Sequence, residues 1–205
     1  MKKYIIAGIG TNIGKTVTSA VLVEALHADY WKPVQSGNLN ETDADFVRKY
    51  AKNHQTIFQE AFLLKEPVSP HLAAKLESKV IDIEQIKLVN TNNHLIVETA
   101  GGLLSPLSEK YLCIDLIKEL QLSVILVSMN YLGSINHTLL SIEALKQRNI
   151  PIEGIIFCGD PNFETERFIL EYSKIPLLGK IPFTDNLTQE FISEQAKQFV
   201  HLQGN

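Results

Sequence analysis

The 205-residue sequence has little of what marks a secreted, membrane-spanning or nucleic-acid-binding protein. Two cysteines, Cys113 and Cys158, are too few for a disulfide framework or a four-cysteine zinc site, which favours a reducing cytoplasm. No apolar run approaches the roughly 18 residues of a transmembrane helix, and the first one is interrupted at Lys15, too early for a signal peptide. The net charge of -4 gives no electrostatic reason to expect a nucleic-acid partner, and we expect no membrane partner.

Arginine is also scarce, because Arg48, Arg148 and Arg167 are the only arginines among 19 basic residues. Kinases of nucleotides and small molecules often clamp phosphates with lid arginines, so this scarcity argues against that class. The six histidines show no pair at metal-ligand spacing. No Ser–His–Asp arrangement is suggested either, which argues against a serine hydrolase.

What is present is an ordinary globular composition, with 45% hydrophobic and 20% charged residues, and an alternation of strand and helix patterns. This alternation predicts right-handed βαβ crossovers, hence an α/β three-layer sandwich with a mostly parallel central sheet in a single domain over residues 1–205. Segments 62–70 and 99–107 are predicted to be loops, and the helix over 15–28 is predicted to bury one side. Strands are predicted near 4–7, 30–33, 95–97, 124–127, 155–157 and 176–178, and helices near 15–28, 43–53, 71–77, 114–120, 135–146, 164–172 and from Thr188.

The strongest motif is GIGTNIGKT at residues 8–16, which follows a predicted strand and opens a predicted helix. Glycines there let backbone N–H groups turn toward phosphate oxygens, and the helix N-terminus adds positive potential. Lys15 can then bridge the β- and γ-phosphates, while the Thr16 hydroxyl can bind Mg²⁺. The motif therefore predicts a P-loop NTPase-like fold. The alternative is a chance Gly-Lys-Thr at a strand–helix turn.

Charged residues follow two further strands of the predicted sheet, where ligands of parallel sheets bind. Lys32 leaves the second strand close to the phosphate loop, although a lone lysine is often just a solvated charge. Glu98 ends the strand over 95–97, and a buried carboxylate there suits a second contact to Mg²⁺. Asp43 and Asp45 follow the predicted helix cap Thr42, and either of them could simply be an acid of the first helical turn.

Two glycine-containing segments offer backbone amides at the same edge of the sheet. Residues 99–107 follow Glu98 and could serve a ligand or merely pack. Residues 131–137 follow the strand over 124–127, and Gly133 opens a helix whose N-terminus could hold a carboxylate or be an ordinary capped end.

Taken together, these blocks resemble the dethiobiotin synthetase family in order and approximate spacing over nearly the whole chain, weakening after about Phe157. The resemblance implies an ATP-dependent cyclo-ligase of biotin synthesis that uses Mg²⁺. Such an enzyme converts 7,8-diaminononanoate and CO₂ into dethiobiotin through a carbamate and its mixed anhydride with phosphate. The blocks are GIGTNIGKT at 8–16, KPVQSG at 32–37, Asp43, ETAGG at 98–102, SPL at 105–107 and LGSINH at 132–137.

The resemblance also implies roles for individual residues and a cytoplasmic homodimer, in which the substrate carboxylate reaches a helix N-terminus of the partner subunit. Catalytic roles fall on Thr11, Lys15, Lys32 and Ser36, and metal binding falls on Thr16, Asp43 and Glu98. Nucleotide contacts fall on Asn12, Ile13, Gly14, Lys15, Thr16, Val17, Asp43, Glu98, Gly101, Cys158 and Pro182. Substrate contacts fall on Thr11, Lys32, Ser36, Gly102, Leu103, Gly133, Ser134 and Asn136.

The sequence departs from the family at four positions. The family's loop usually reads Gly-Thr-Asp-Thr, whereas Ile9 and Gly10 stand here before Thr11, and Asn12 replaces a common acid. Two carboxylates are therefore missing beside the phosphates. Cys158 stands where the family has an asparagine that reads adenine, which leaves nucleotide choice open.

Two other classes fit parts of the sequence. A partitioning or positioning ATPase usually carries an additional lysine early in the loop, and none occurs between Gly8 and Gly14. A nucleotide-binding module without catalysis fits the departures at Gly10, Asn12 and Cys158, but not the retained lysines and carboxylates.

Overall fold

The central sheet is assembled from short apolar strands. In the computed structural model, which describes residues 1–204, seven strands form one sheet in the order β4–β2–β6–β1–β7–β8–β9. Each pairing is parallel, so the α/β class and the parallel sheet predicted from the sequence are confirmed. The strands are β1 (Lys3–Gly8), β2 (Asp29–Trp31), β3 (Val34–Ser36), β4 (Ile57–Phe58), β5 (Phe62–Leu64), β6 (Leu95–Gly102), β7 (Ser123–Met129), β8 (Ile152–Cys158) and β9 (Leu177–Ile181).

Helices cover both faces of this sheet and complete the three layers. Side chains of β1 alternate between two apolar clusters, because Ile5 and Ala7 face one and Tyr4 and Ile6 face the other. One face carries α1 (Lys15–Leu26), α2 (Asp43–Tyr50), α7 (Gln189–Ala196) and a final 3₁₀ segment (Lys197–Gln203); the other carries α3 (Pro70–Leu76), a 3₁₀ turn (Ile83–Gln85), α4 (Cys113–Leu120), α5 (Ser134–Gln147) and α6 (Phe163–Ser173).

Local capping explains where the helices nearest to the cleft begin. Thr42 accepts a hydrogen bond from the Asp45 amide, and the Asp45 carboxylate accepts one from the Thr42 amide, which completes a capping box. Asp45 is therefore a capping residue, and Asp43 at the first helical position is left free for another role. Gly14 precedes α1 with φ +93°, a left-handed conformation that favours glycine.

Three sequence expectations are wrong in detail. The α1 helix is buried on nearly every side, because α7 and the final 3₁₀ segment cover the face that was expected to be exposed. Segment 62–70 contains β5, which pairs with β3 in a small second sheet. The strand expected to end at Val97 continues as β6 to Gly102, which places Glu98 inside the strand. No helix within residues 1–204 is long and apolar enough to cross a membrane.

Candidate active site

A cleft of about 640 Å³ opens at the carboxyl ends of the central strands. Its position follows from topology, because β1 lies between β6 and β7 and the loops after β1, β2 and β6 meet at one edge. The segment before α3 closes its far side. The lining residues are Thr11, Asn12, Ile13, Gly14, Lys15, Thr16, Val17, Lys32, Gln35, Ser36, Asn38, Asp43, Pro67, Val68, Ser69, Pro70, Glu98, Ala100, Gly101 and Ser105.

Lys15 is folded back over the phosphate-binding loop. Its Nζ donates a hydrogen bond to the Gly10 carbonyl oxygen at 2.7 Å, and only 7% of the residue is exposed. Burial lowers the pKa of Lys15, although Glu98 opposes this effect. A buried ammonium held by a neutral carbonyl can exchange that carbonyl for phosphate oxygens, which are stronger acceptors for a cation.

Three oxygens from separate elements converge beside the loop. The Thr16 Oγ1 lies 2.7 Å from Asp43 Oδ1 and 2.9 Å from Glu98 Oε1. A hydroxyl has one proton and can donate it to only one of these carboxylates at a time. The other carboxylate oxygen therefore lies close to Thr16 without a hydrogen bond from it. Three oxygens placed in this way suit a hard divalent cation, which prefers oxygen ligands.

Lys32 neutralises the same two carboxylates. Its Nζ forms ion pairs with Asp43 and, at 3.2 Å, with Glu98, and the lysine is 6% exposed. Burial works to lower the pKa of Lys32, but Glu98 and Asp43 outweigh it and the pKa is raised. Burial likewise works to raise the pKa of Asp43, but Lys32 and Thr16 hold it below its usual range. Both groups are therefore charged at neutral pH.

Glu98 is held from behind by two residues that the sequence analysis missed. Its Oε2 accepts hydrogen bonds from the Ser19 hydroxyl at 2.7 Å and the Tyr30 hydroxyl at 3.0 Å. Burial and the neighbouring Glu98 raise the pKa of Tyr30 well above its ordinary value, so it stays a donor. These bonds occupy Oε2 and turn Oε1 toward Thr16 and Lys32.

The predicted site residues fall into three groups in space. The cleft brings together Thr11 to Val17, Lys32, Ser36, Asp43, Glu98 and Gly101. Gly102 and Leu103 line an adjoining surface pocket of about 470 Å³, which Thr11 shares. The third group lines neither the cleft nor this pocket. It consists of three residues at the start of α5, Gly133, Ser134 and Asn136, and of Cys158 and Pro182 elsewhere in the chain.

Cys158 lies beneath the phosphate-binding loop rather than in the cleft. A Cβ added at Gly14 would come within 2.9 Å of the Cys158 Sγ, and that sulfur lies 3.2 Å from the Thr18 Oγ1. The side chain therefore packs under the turn that holds the phosphates. Its contact with the nucleotide base stays a prediction.

We expect both thiols to resist modification in the folded protein. Burial raises the pKa of Cys158 to about 11 and that of Cys113 to about 12, so at pH 8 the thiolate fraction is far below that of a free cysteine. Titration with a chromogenic disulfide reagent should therefore show both thiols reacting only after denaturation. Rapid labelling of the native protein at pH 8 would contradict these burials.

A phosphate-binding loop after the central strand of a parallel sheet, with a lysine and two carboxylates facing its threonine, defines a P-loop nucleotide-binding protein. Comparison with known families agrees, because the profile of a family described as an AAA domain matches residues 2–191.

Curated relatives narrow the class. A protein of Christiangramia forsetii is 47% identical over 199 residues, covering 97% of this chain and 96% of the relative. A protein of Cytophaga hutchinsonii is 48% identical, covering 96% of each. Both carry the name ATP-dependent dethiobiotin synthetase BioD. The chain belongs to the ATP-dependent dethiobiotin synthetase family.

Solved structures with the same fold are much more distant in sequence. A putative plasmid partition protein of Borrelia burgdorferi superposes with a TM-score of 0.60 at 12% identity, covering 98% of this chain and 97% of that one. A ParA family ATPase of Chlorobium tepidum gives 0.56 at 14% identity, covering 98% and 92%. At such identities the likeness shows the fold alone.

Proposed function

We propose that this chain is an ATP-dependent dethiobiotin synthetase acting in biotin synthesis in the cytoplasm. It joins 7,8-diaminononanoate and CO₂ into the cyclic urea of dethiobiotin, with ATP converted to ADP and phosphate. The observation that carries the proposal is the buried Lys32, held between Asp43 and Glu98 beside the phosphate-binding loop. The additional lysine of a partitioning ATPase lies early in the loop, whereas Lys32 follows β2 and supplies positive charge where two anions would react.

The charge balance of the cleft supports Mg²⁺ as the metal. Two cations, Lys15 and Lys32, face two anions, Asp43 and Glu98, so these four side chains are together neutral. Thr16, Asp43 and Glu98 fit a hard divalent cation because their oxygens already converge. Bound there with ATP, Mg²⁺ would offset part of the negative charge of the triphosphate.

The reaction proceeds in three steps that these residues can support. An amine of the substrate adds to CO₂ and releases a proton, forming an N–C bond and a carbamate anion. A carbamate oxygen then attacks the γ-phosphorus, and ADP leaves. The second amine attacks the carbonyl carbon, the bond from that carbon to the phosphate oxygen breaks, and phosphate and the proton of this amine are released as the urea closes.

Electrostatic screening is the main task of the protein in the second step. The carbamate and the γ-phosphate repel each other, and Lys32 and Lys15 offset this repulsion from within a largely buried cleft. Thr11 and Ser36 line the same cleft and can hydrogen-bond the carbamate or the amine. Holding amine and anhydride together makes ring closure effectively unimolecular.

We propose that the start of α5, offered by a second copy of this chain, receives the substrate carboxylate. The Ser134 side chain is 1% exposed, and its Oγ has no hydrogen-bond partner within the described part of the chain. It belongs to the first turn of a 14-residue helix that begins after Gly133, where free amides favour an anion. Leu104 and Leu140, 56% and 59% exposed, line the pocket between this helix and the cleft. We propose that this face forms the homodimer.

Replacing Leu140 with aspartate should therefore convert the dimer to a monomer and raise the KM for the diamine. The physical reason is that each substrate then loses the helix end of the partner. Sedimentation and steady-state kinetics measure the two effects. Tyr172→Asp on α6, also an exposed apolar position at 68%, is the matched control and should leave both unchanged.

The proposed activity is tested by incubating the purified protein with 7,8-diaminononanoate, bicarbonate, Mg²⁺ and ATP, CTP or GTP. Dethiobiotin detected by mass spectrometry in amounts equal to ADP supports the proposal, and the nucleotide series reports on base choice with Cys158 in place. A folded dimer that binds ATP but forms no product with any nucleotide would overturn it.

A further inference from the structure

Gln35 lies inside the KPVQSG block and has no assigned role. It lies on β3 between Val34 and Ser36, its side chain lines the cleft, and only 3% of the residue is exposed. A glutamine buried this deeply requires partners for both ends of its amide, because an unsatisfied buried polar atom is costly.

One end of the Gln35 amide is satisfied and fixes the orientation of the other. The Nε2 donates a hydrogen bond to the Gly37 carbonyl oxygen at 3.0 Å. Only the NH₂ group can make that bond, so the assignment of nitrogen and oxygen is determined by chemistry. Gly37 is itself tied to β5, because its amide donates to the Leu64 carbonyl oxygen at 2.9 Å.

The other end is an unused acceptor. Gln35 Oε1 is buried and has no hydrogen-bond partner among residues 1–204. The two ammonium groups of the cleft are already engaged, Lys15 with the Gly10 carbonyl and Lys32 with Asp43 and Glu98. Gln35 lines the cleft, so a ligand bound there can bring the missing N–H or O–H donor.

We propose that Gln35 Oε1 accepts a hydrogen bond from the substrate amine that closes the urea ring, and so selects a vicinal diamine. This inference rests on the proposed function. A neutral amine that donates one N–H to a fixed carbonyl oxygen keeps its lone pair free to point elsewhere, toward the carbonyl carbon that it attacks. A site built around such an acceptor rejects analogues that lack the donor.

The test replaces Gln35 with methionine, which keeps the length of the side chain and removes its amide. Gln35→Leu, a shorter apolar side chain, is a second variant without the amide. We expect the Kd for 7,8-diaminononanoate, measured calorimetrically, to rise about ten- to hundredfold, while the Kd for ATP stays within about twofold. Thermal stability without ligands should change little, because the variant removes the unsatisfied oxygen together with the hydrogen bond from Nε2 to the Gly37 carbonyl. The exposed Gln59→Met is the matched control and should change nothing.

Two monoamine analogues show which amine of the substrate contacts Gln35. Wild-type protein and Gln35→Met are compared for binding 7-aminononanoate and 8-aminononanoate. The analogue that keeps the contacting amine should lose affinity in the variant, while the other should bind both proteins equally. If neither analogue distinguishes them, and the variant binds the diamine like the wild type, water satisfies Oε1 and the inference is overturned.

The outcomes separate this inference from the proposed function. Wild-type protein that neither binds the diamine nor forms dethiobiotin overturns the proposed function, and the inference with it. Wild-type protein that forms dethiobiotin, together with a fully competent Gln35→Met, overturns only the role of Gln35. A loss of stability accompanied by equal weakening of ATP and diamine binding would show a structural role instead.

Discussion

Replacing Lys32 with methionine should lower kcat for dethiobiotin formation by about a thousandfold, because it removes a preorganised cation that meets developing negative charge. Methionine keeps the apolar length of the lysine stem but supplies no ammonium. We expect the KM for ATP to change much less, because Lys15 and the loop amides remain. Lys49→Met is the matched control, since Lys49 lies outside the cleft, where it forms an exposed ion pair with Glu41 and lies over the Tyr50 ring. Turnover of Lys32→Met within tenfold of the wild type would remove Lys32 from the mechanism.

The same variant also tests the electrostatics of the cleft, through the loss of the Lys32 ammonium. Without this ammonium, Asp43 and the buried Glu98 lose their ion-pair partner. In the absence of metal, this loss should lower the free energy of unfolding by about 3 kcal/mol. Mg²⁺ should recover much of this loss. Chemical denaturation with and without Mg²⁺ measures it, and equal loss in both conditions would contradict a metal site there.

Replacing Glu98 with glutamine should have the second largest effect, because it removes one charge of the metal site without changing its volume. We expect kcat to fall at least a hundredfold and the Mg²⁺ concentration for half-maximal activity to rise at least tenfold. Binding of Mn²⁺ in the presence of ATP, followed by electron paramagnetic resonance, gives a readout independent of turnover. Glu109→Gln, at an exposed glutamate outside the cleft, should bind Mn²⁺ like the wild type.

The two variants are expected to shift metal affinity in opposite directions. Lys32 competes with a cation for Asp43 and Glu98, so its removal should tighten Mn²⁺ binding, whereas Glu98→Gln should weaken it. Weaker binding in both variants would show that Lys32 organises the carboxylates rather than competing for them. Unchanged binding in Glu98→Gln would remove Glu98 from the metal site.

Residues that follow strands or cap helices were predictable from the sequence because their positions are defined locally. Lys32 was expected just after a strand, Asp43 just after a helix cap and Glu98 at the end of an apolar run. A parallel sheet brings such positions to one edge whatever the details of packing. The structure places all three within one hydrogen-bonded cluster.

The residues missed by the sequence analysis are positioned by long-range contacts. Ser19 and Tyr30 are 79 and 68 positions from Glu98 along the chain, and neither stands out in a pattern of buried residues. The pairing of β3 with β5 depends on Pro33, whose carbonyl oxygen accepts hydrogen bonds from the Ala61 and Phe62 amides. No local periodicity encodes such contacts.

Cys158 shows a second reason why the sequence does not predict the whole site. Its position at the end of β8 was anticipated, but the direction of its side chain, toward the turn at Gly14, depends on strand register. That residues 1–205 form a single domain stays a prediction, as do the individual roles assigned to the site residues.

The central claim, closure of the urea through a phosphorylated carbamate, is tested most directly with ¹⁸O-labelled bicarbonate. The reaction is started with freshly dissolved label, the diamine, Mg²⁺ and ATP, and the released phosphate is analysed by mass spectrometry. In the proposed route the carbamate oxygen that attacks phosphorus leaves with it, so each phosphate formed with dethiobiotin should carry one oxygen derived from CO₂. Dethiobiotin accompanied by phosphate without label would contradict the mixed anhydride and the role assigned to the Lys32 cluster.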